Sequence, residues 1–274
     1  MTIRTAGCLV LAMLAGCKPY EPVPAEFDAL VHRAWELWDV GSAEDMEALA
    51  SAFTTVAPTH PASDGPLRGS MARLTPAQRD VVPLEPRPLA DGTVGLPDPA
   101  DAAPMLVLNR FECTMAQFEP TVYHLAQDEI FGFYDSYDRT YTSSLEDYLS
   151  GVNDRITWDV ELEATVTLAG SYTETLSGGL RRAETAEGTL FLTRTWIPRP
   201  AVWASENKSF DQDYQINLYM QETDDSIVHL QGVWRHLDLG ALGTTESEFV
   251  VNTLMSSSID WDRDTEKLCA EGRP

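Results

Sequence analysis

The sequence predicts an α+β fold: an N-terminal helical hairpin, a proline-rich linker, and a curved antiparallel sheet or partly closed barrel with a C-terminal helix. Three observations predict it. Apolar residues recur at helical spacing between Ala25 and Val56. Apolar and polar residues then alternate without a break from Ile156 to Leu168. The strand-like segments that follow are joined by short turns, which favours antiparallel pairing. With 274 residues, 43% hydrophobic and 9% aromatic, the chain can bury a sizeable core, and wholesale disorder is excluded.

In order along the chain, Phe27, Leu30, Val31, Ala34 and Trp38 form one stripe over Ala25 to Val40. Gly41-Ser42 then breaks and recaps the chain, and Met46, Leu49, Ala50 and Phe53 continue a second stripe. The Met and Trp in these stripes read as core. Ten prolines between Ala57 and Pro104 rule out long regular elements there, so the stretch reads as a linker or wrapping segment. It is interrupted by one short helix at Thr75-Pro76-Ala77-Gln78, where Thr caps, Pro fits the first turn and Gln closes the capping box. Met105 to Leu108 supply a short apolar strand.

Ile156, Trp158, Val160, Leu162, Ala164, Val166 and Leu168 give a strand one dry face. Tyr172–Leu176 and Leu180–Ala183 are expected as two strands about a turn at Ser177-Gly178-Gly179. Thr189–Ile197 is a further strand, ended by Pro198-Arg199-Pro200. A second hairpin places Tyr214, Ile216, Leu218 and Met220 on one face opposite Val228, Leu230 and Trp234, around Glu222-Thr223-Asp224-Asp225-Ser226. Finally Thr245-Glu246-Ser247-Glu248 has the form of a capping box for a helix whose buried side is Val250, Leu254, Ser257, Trp261 and Leu268.

At the N-terminus, Arg4 precedes an apolar run, Ala6 to Leu14, that closes on Leu14-Ala15-Gly16-Cys17. This resembles a bacterial lipoprotein signal, in which signal peptidase II cuts before the cysteine and the thiol carries a diacylglycerol. The resemblance implies residues 1–16 as signal peptide and Cys17 as the lipidated N-terminus; with the patterns above, the chain divides into 17–56 as lipidated N-terminus and hairpin, 57–104 as linker or wrapping segment and 105–274 as the sheet domain. The apolar run is far below the ~20 residues of a spanning helix. Acyl chains on Cys17, palmitate among them, would provide the membrane contact, at ~0.8 kcal/mol per buried methylene. Lys18 rather than Asp follows the cysteine, which favours the outer membrane, with the body in the periplasm or at the surface. Cys8 leaves with the signal and Cys17 is modified, so Cys113 and Cys269 remain to form a disulfide in an oxidising compartment.

The net charge of −24, about −25 after loss of Arg4, repels nucleic acid and anionic headgroups. The densest recognition chemistry lies in Phe131 to Tyr141, where Tyr134, Tyr137, Arg139 and Tyr141 combine hydrogen-bonding rings with a cation able to pair with an anion or stack. In the alternative reading the tyrosines pack on the sheet and Arg139 pairs with Asp135 or Asp138. The five histidines, at 32, 60, 124, 229 and 236, lack metal-ligand spacing, and Asp260 to Glu271 lacks the glycine of a calcium loop. There is no nucleophile elbow, phosphate loop or dinucleotide fingerprint, so no cofactor is expected. The sequence thus reads as a non-enzymatic, membrane-anchored envelope lipoprotein with a binding or structural role and a possible envelope protein partner. One alternative is a carrier of an apolar ligand between sheet and final helix, with Trp158, Trp234 and Trp261 in the cavity wall. The other is a carboxylate-dependent hydrolase.

Overall fold

The computed structural model describes residues 21–89, 91–166 and 169–273. Cys17 and the lipoprotein signal lie outside them. The elements in order are α1 (Ala25–Val40), α2 (Ala43–Val56), β1 (Leu67–Gly69), α3 (Pro76–Arg79), β2 (Arg87–Pro88), β3 (Val94–Gly95), β4 (Ala103–Glu112), α4 (Met115–Tyr123), β5 (Tyr134–Tyr141) and α5 (Leu145–Leu149). These are followed by β6 (Arg155–Val166), β7 (Gly170–Thr185), β8 (Gly188–Trp196), β9 (Val202–Trp203), β10 (Ser209–Thr223), β11 (Ser226–Asp238) and α6 (Glu248–Glu271). Nine strands form one antiparallel sheet in the order β1-β4-β11-β10-β8-β7-β6-β5, with β9 beside β7. The sheet is open, with β1 and β5 at its two ends, and this decides between the open and the partly closed forms that the alternation permits.

Both faces of the sheet are covered, each by different helices. On one face, here the hairpin face, Leu106, Leu108, Leu190, Leu192, Ile216, Leu218, Leu230 and Trp234 pack with Phe27, Trp35, Trp38, Leu49 and Phe53 of α1 and α2. On the other, the α6 face, Ile156, Trp158, Val160, Leu162, Phe191, Tyr219 and Ile227 pack with Phe118 of α4, and Met105, Val107 and Val233 pack with Val251 and Met255 of α6. The apolar set of β6 therefore points to α6 while the apolar set of β10 and β11 points to the hairpin. Because side chains alternate with period two, this opposite parity determines which residues can share a cavity.

The N-terminal helices form for local reasons. Ser42 caps α2 and Asp45 completes its capping box. No basic residue occupies the last turn of α1. Instead Arg181 of β7 donates to the carbonyls of Leu37, Trp38 and Gly41 at 3.0, 3.1 and 2.7 Å. Arg194 of β8 donates to the Trp35 carbonyl and pairs with Asp39. The Leu37 carbonyl also accepts from Gly41 N, and the rest of this helix end is closed by cations of the sheet.

The proline-rich stretch wraps the sheet rather than linking two bodies. It contributes β1 to the sheet edge and the small β2–β3 hairpin, and the Thr75–Gln78 capping box forms α3. Its carbonyls serve buried indoles: Trp35 Nε1 donates to Gln78, Trp234 Nε1 to Ala72 and Trp196 Nε1 to Pro83.

Two local expectations are overturned. Ser177-Gly178-Gly179 is the middle of the continuous strand β7, not a turn. A side chain on Gly179 would stand 2.6 Å from the Ile156 carbonyl and 2.8 Å from the Trp38 ring, and one on Gly178 would stand 2.6 Å from the Arg194 carbonyl. These glycines permit close approach, which is the other use of glycine in a strand. The last helix is capped by Ser247, whose Oγ accepts from Val250 N, and not by Thr245, which instead accepts from Leu237 N. Of its proposed stripe, Ser257 is exposed; Asp262, Thr265 and Cys269 are buried beside Val250 and Leu268.

Candidate functional site

The α6 face is the place where polar chemistry is buried. On β10 and β11 the residues of opposite parity to the apolar set include Asp213, Gln215, Asn217, His229, Gln231 and Arg235, and α6 meets them through Asp262 at His229 and through Leu254, Met255 and Ser258 beside Gln215, Gln231 and Arg235. Arg235 donates from Nε and Nη2 to the two oxygens of Asp213, both at 2.9 Å, and Gln215 donates to the same carboxylate at 2.6 Å. Glu174 of β7 stands nearby, 9% exposed. Burial, reinforced by the charge of Asp213 and opposed by Arg235, pushes its carboxyl up to about 8.

A second network seats the middle of α6. His229 lies with Nδ1 2.7 Å from an Asp262 oxygen and Nε2 3.0 Å from the Asn217 oxygen, while Asn217 donates to Thr193 and Asn109 to Asp262. The Tyr219 ring stacks on His229 with centroids 4.2 Å apart.

Between these groups and α6 lies a cavity of about 40 Å³, lined by Gln215, Gln231, Arg235, Met105, Val107, Val233, Leu254, Met255 and Ser258. That is room for one or two waters, far below the ~300 Å³ or more of a preformed ligand pocket. Aromatic side chains fill the neighbouring space: Trp261 stacks on Phe131 at 5.4 Å and meets Phe118 edge-on at 6.1 Å. A separate open concavity of about 300 Å³ lies beside the Cys113–Cys269 disulfide, among Glu112, Asp225, Glu266 and Lys267.

The residues singled out in the sequence divide between the faces. Trp158 and Trp261 both border the α6 face, but Trp234 lies on the hairpin face against Trp35, so the three cannot line one cavity. Tyr137, Arg139 and Tyr141 point inward from β5 onto the α6 face and do not form an exposed surface, and Tyr134 packs against Tyr137 at 4.8 Å. Desolvation raises all three tyrosine hydroxyls of this strand. Arg139 pairs with neither Asp135 nor Asp138. It donates to the Val122 carbonyl at 2.6 Å and to the Tyr137 hydroxyl at 2.7 Å, and its guanidinium lies 4.2 Å from the Trp158 ring centre.

The buried polar residues of β10 and β11 escaped sequence reasoning because alternation assigns them to water. Their chemistry held a signal: Gln215, Asn217, Gln221 and Gln231 are amides, where a solvated face of so acidic a chain would carry more charges.

The hydrogen-bond ledger separates the two faces. Among the described residues, eight side chains bury a polar atom without a partner in the protein: Thr121, Arg139, Trp158, Glu174, Arg194, Trp203, Gln231 and Thr265. Seven of them border the α6 face, and only Arg194 faces the hairpin.

No protein-family model and no curated protein matches this chain. Among solved structures it is similar to a START superfamily protein from Mycobacterium smegmatis, at 8% identity and a TM-score of 0.41 over 61% of this chain and 97% of that one. Human STARD10 gives 8% and 0.39 over 62% of this chain and 64% of that one. A STAR-related lipid transfer protein from Xanthomonas axonopodis gives 8% and 0.37 over 64% and 88%. The α+β assignment itself rests on the strand register and helix packing described above.

Proposed function

We propose that this chain is a non-catalytic binding protein of the bacterial envelope that takes an amphiphilic ligand between the α6 face of its sheet and the helices above it, held to the membrane by acyl groups on Cys17. The one-sided distribution of unpartnered buried polar atoms carries the first part. A finished core satisfies its donors and acceptors, as the hairpin face nearly does. The α6 face instead mixes unsatisfied groups with Met105, Val107, Val233, Leu254 and Met255, the combination of apolar wall and few polar points that orients a ligand.

In the closed form the cavity is too small for such a ligand, so entry requires part of the cover to lift. The second half of α6 is fastened by the disulfide, by Asp262, and by Glu266, which accepts from Glu112 N. Apolar contacts of Val250, Val251 and Met255 and one exposed hydrogen bond, Arg68 to Ser256, hold the first half. The first half is therefore the one that moves at lower cost.

The lipobox residues support membrane attachment, and a disulfide between Cys113 and Cys269 fits an oxidising compartment. Glu21, four residues after Cys17, is already hydrogen-bonded to Ser70, so an anchored body would stand within ~14 Å of its acylated residue. Native mass spectrometry of the protein extracted in mild detergent tests both parts. An acylated N-terminus at Cys17 and a retained amphiphile, lost when Val233→Phe fills the cavity, are the expected results. A bare, unacylated chain that binds no solvatochromic amphiphile saturably overturns the reading.

A further inference from the structure

Among the described residues Arg139 is a buried cation with no ion-pair partner. It is 9% exposed, and among the described residues its polar contacts are the Val122 carbonyl and Tyr137 and Tyr141 hydroxyls, all uncharged. The carboxylates near it in sequence are committed elsewhere: Asp138 projects to the opposite face of β5, and Asp135 accepts from Thr165. Glu119, on the helix whose Val122 it touches, is held by Arg182 and Tyr148. A fully charged group removed from water is costly unless an opposite charge meets it.

Two N–H donors in the same stack are also unpartnered, Arg139 Nε and Trp158 Nε1, each shut off from solvent. Around them the wall is mostly apolar, Val160 and Leu162 of β6, Leu176 of β7 and Val122 of α4, with the buried carboxyl of Glu174 at its edge opposite Leu162. One positive charge, two free donors and an aliphatic surround describe the seat of a monoanionic head on an apolar tail. Resting on the ligand-binding reading above, we propose that the Arg139–Trp158 stack binds the carboxylate of a long-chain amphiphile. A carboxylate presents two oxygens to two donors and balances one guanidinium, whereas a phosphate dianion would leave a negative charge buried in a chain already at −24.

The test titrates the full-length mature chain in zwitterionic nanodiscs with dodecanoate, dodecanol and dodecyl phosphate, following tryptophan emission. Dodecanoate is expected to bind about tenfold or more tighter than dodecanol, with Arg139→Met erasing the preference while dodecanol affinity stays unchanged. Trp158→Phe keeps the stacked ring and removes one donor. It is expected to weaken dodecanoate at least about threefold, and it serves as the deciding variant should Arg139→Met fail to fold. The apo melting temperature separates ligand binding from a structural role: removal of an uncompensated charge leaves it unchanged or raises it, and a large drop in Arg139→Met with the preference intact overturns the proposal. Equal affinity for dodecanoate and dodecanol, or tighter binding of dodecyl phosphate, overturns the carboxylate assignment and leaves the binding function standing. Saturable binding of none of the three removes the binding function as well.

Discussion

His229 of β11 and Asp262 of α6, with Nδ1 and Oδ1 2.7 Å apart and both side chains shut away from solvent, join the final helix to the middle of the sheet. Asp262 accepts from Asn109 as well, so its loss would leave a histidine and an amide buried without their acceptor. Asp262→Ala is expected to cost ~3–5 kcal/mol in urea unfolding, since removing one member of a buried pair strands the other. Asp260 and Asp264 on the same helix pair with Arg263 and Lys267 at the surface. Their alanine variants are expected to cost under ~0.5 kcal/mol. Similar losses at all three positions would refute the seating role of the His229–Asp262 pair.

Glu174 makes stability depend on pH in a definite direction. Its carboxyl titrates near 8 when folded and near 4.5 when exposed, so between those values the native state holds a proton that the unfolded state does not. The stabilisation is complete below about 4.5 and is lost as pH rises through 8, at a limit of ~1.4 kcal/mol per pH unit. Glu174→Gln should flatten this slope and melt above the wild type at pH 9. Thermal melts from pH 5 to 9 decide it, and a wild type as stable at pH 9 as at pH 5 contradicts the assignment.

Much of the fold was legible because the periods were clean. The α1 and α2 stripes, the alternation of β6 and the facing sets of β10 and β11 lie where their spacing puts them. Parity between distant strands was not legible. Trp158 and Trp234 each belong to the dry face of their own strand, yet those faces point in opposite directions because the sheet is covered on both sides. Period two fixes alternation within a strand and says nothing of which helix meets it. The same limit hid the amides and the buried Asp213 carboxylate of β10, which look wet until the tertiary fold covers them. Arg139 shows the converse: its residue type pointed to recognition, but the carboxylates beside it in sequence face away in space.

The Cys113–Cys269 disulfide ties the start of α4 to the end of α6 across 156 residues. Its removal by a Cys113→Ser and Cys269→Ser double substitution is expected to cost ~2–4 kcal/mol, toward the upper end because the loop is long. Both positions are buried, so the serine hydroxyls add a desolvation cost that a Cys→Ala pair avoids. Melting of the oxidised, reduced and Cys→Ala forms gives the comparison. Equal melting temperatures for the oxidised and Cys→Ala forms would show that the crosslink contributes no stability.

The closure of α1 by arginines of the sheet is the most testable tie between the N-terminal hairpin and the rest of the chain. Arg181 serves three carbonyls and is anchored in turn by Asp154 at 2.8 Å, and it is 4% exposed. Arg181→Met keeps most of the side-chain volume but withdraws its donors, stranding the Trp38 and Gly41 carbonyls while Leu37 keeps the Gly41 N–H. A loss of ~2–4 kcal/mol is expected, because each stranded acceptor costs ~1–3 kcal/mol and relaxation recovers part. Arg155, more exposed, donates to the Asp39 carbonyl in the same region, and its methionine variant should lose less than ~1 kcal/mol. Hydrogen exchange localises the effect: amides of the last turn of α1 should exchange faster in Arg181→Met while those of α2 keep their protection. Uniform loss across both helices, or none, would mean that the hairpin is held by its apolar contacts with the sheet and not by the cations at its end.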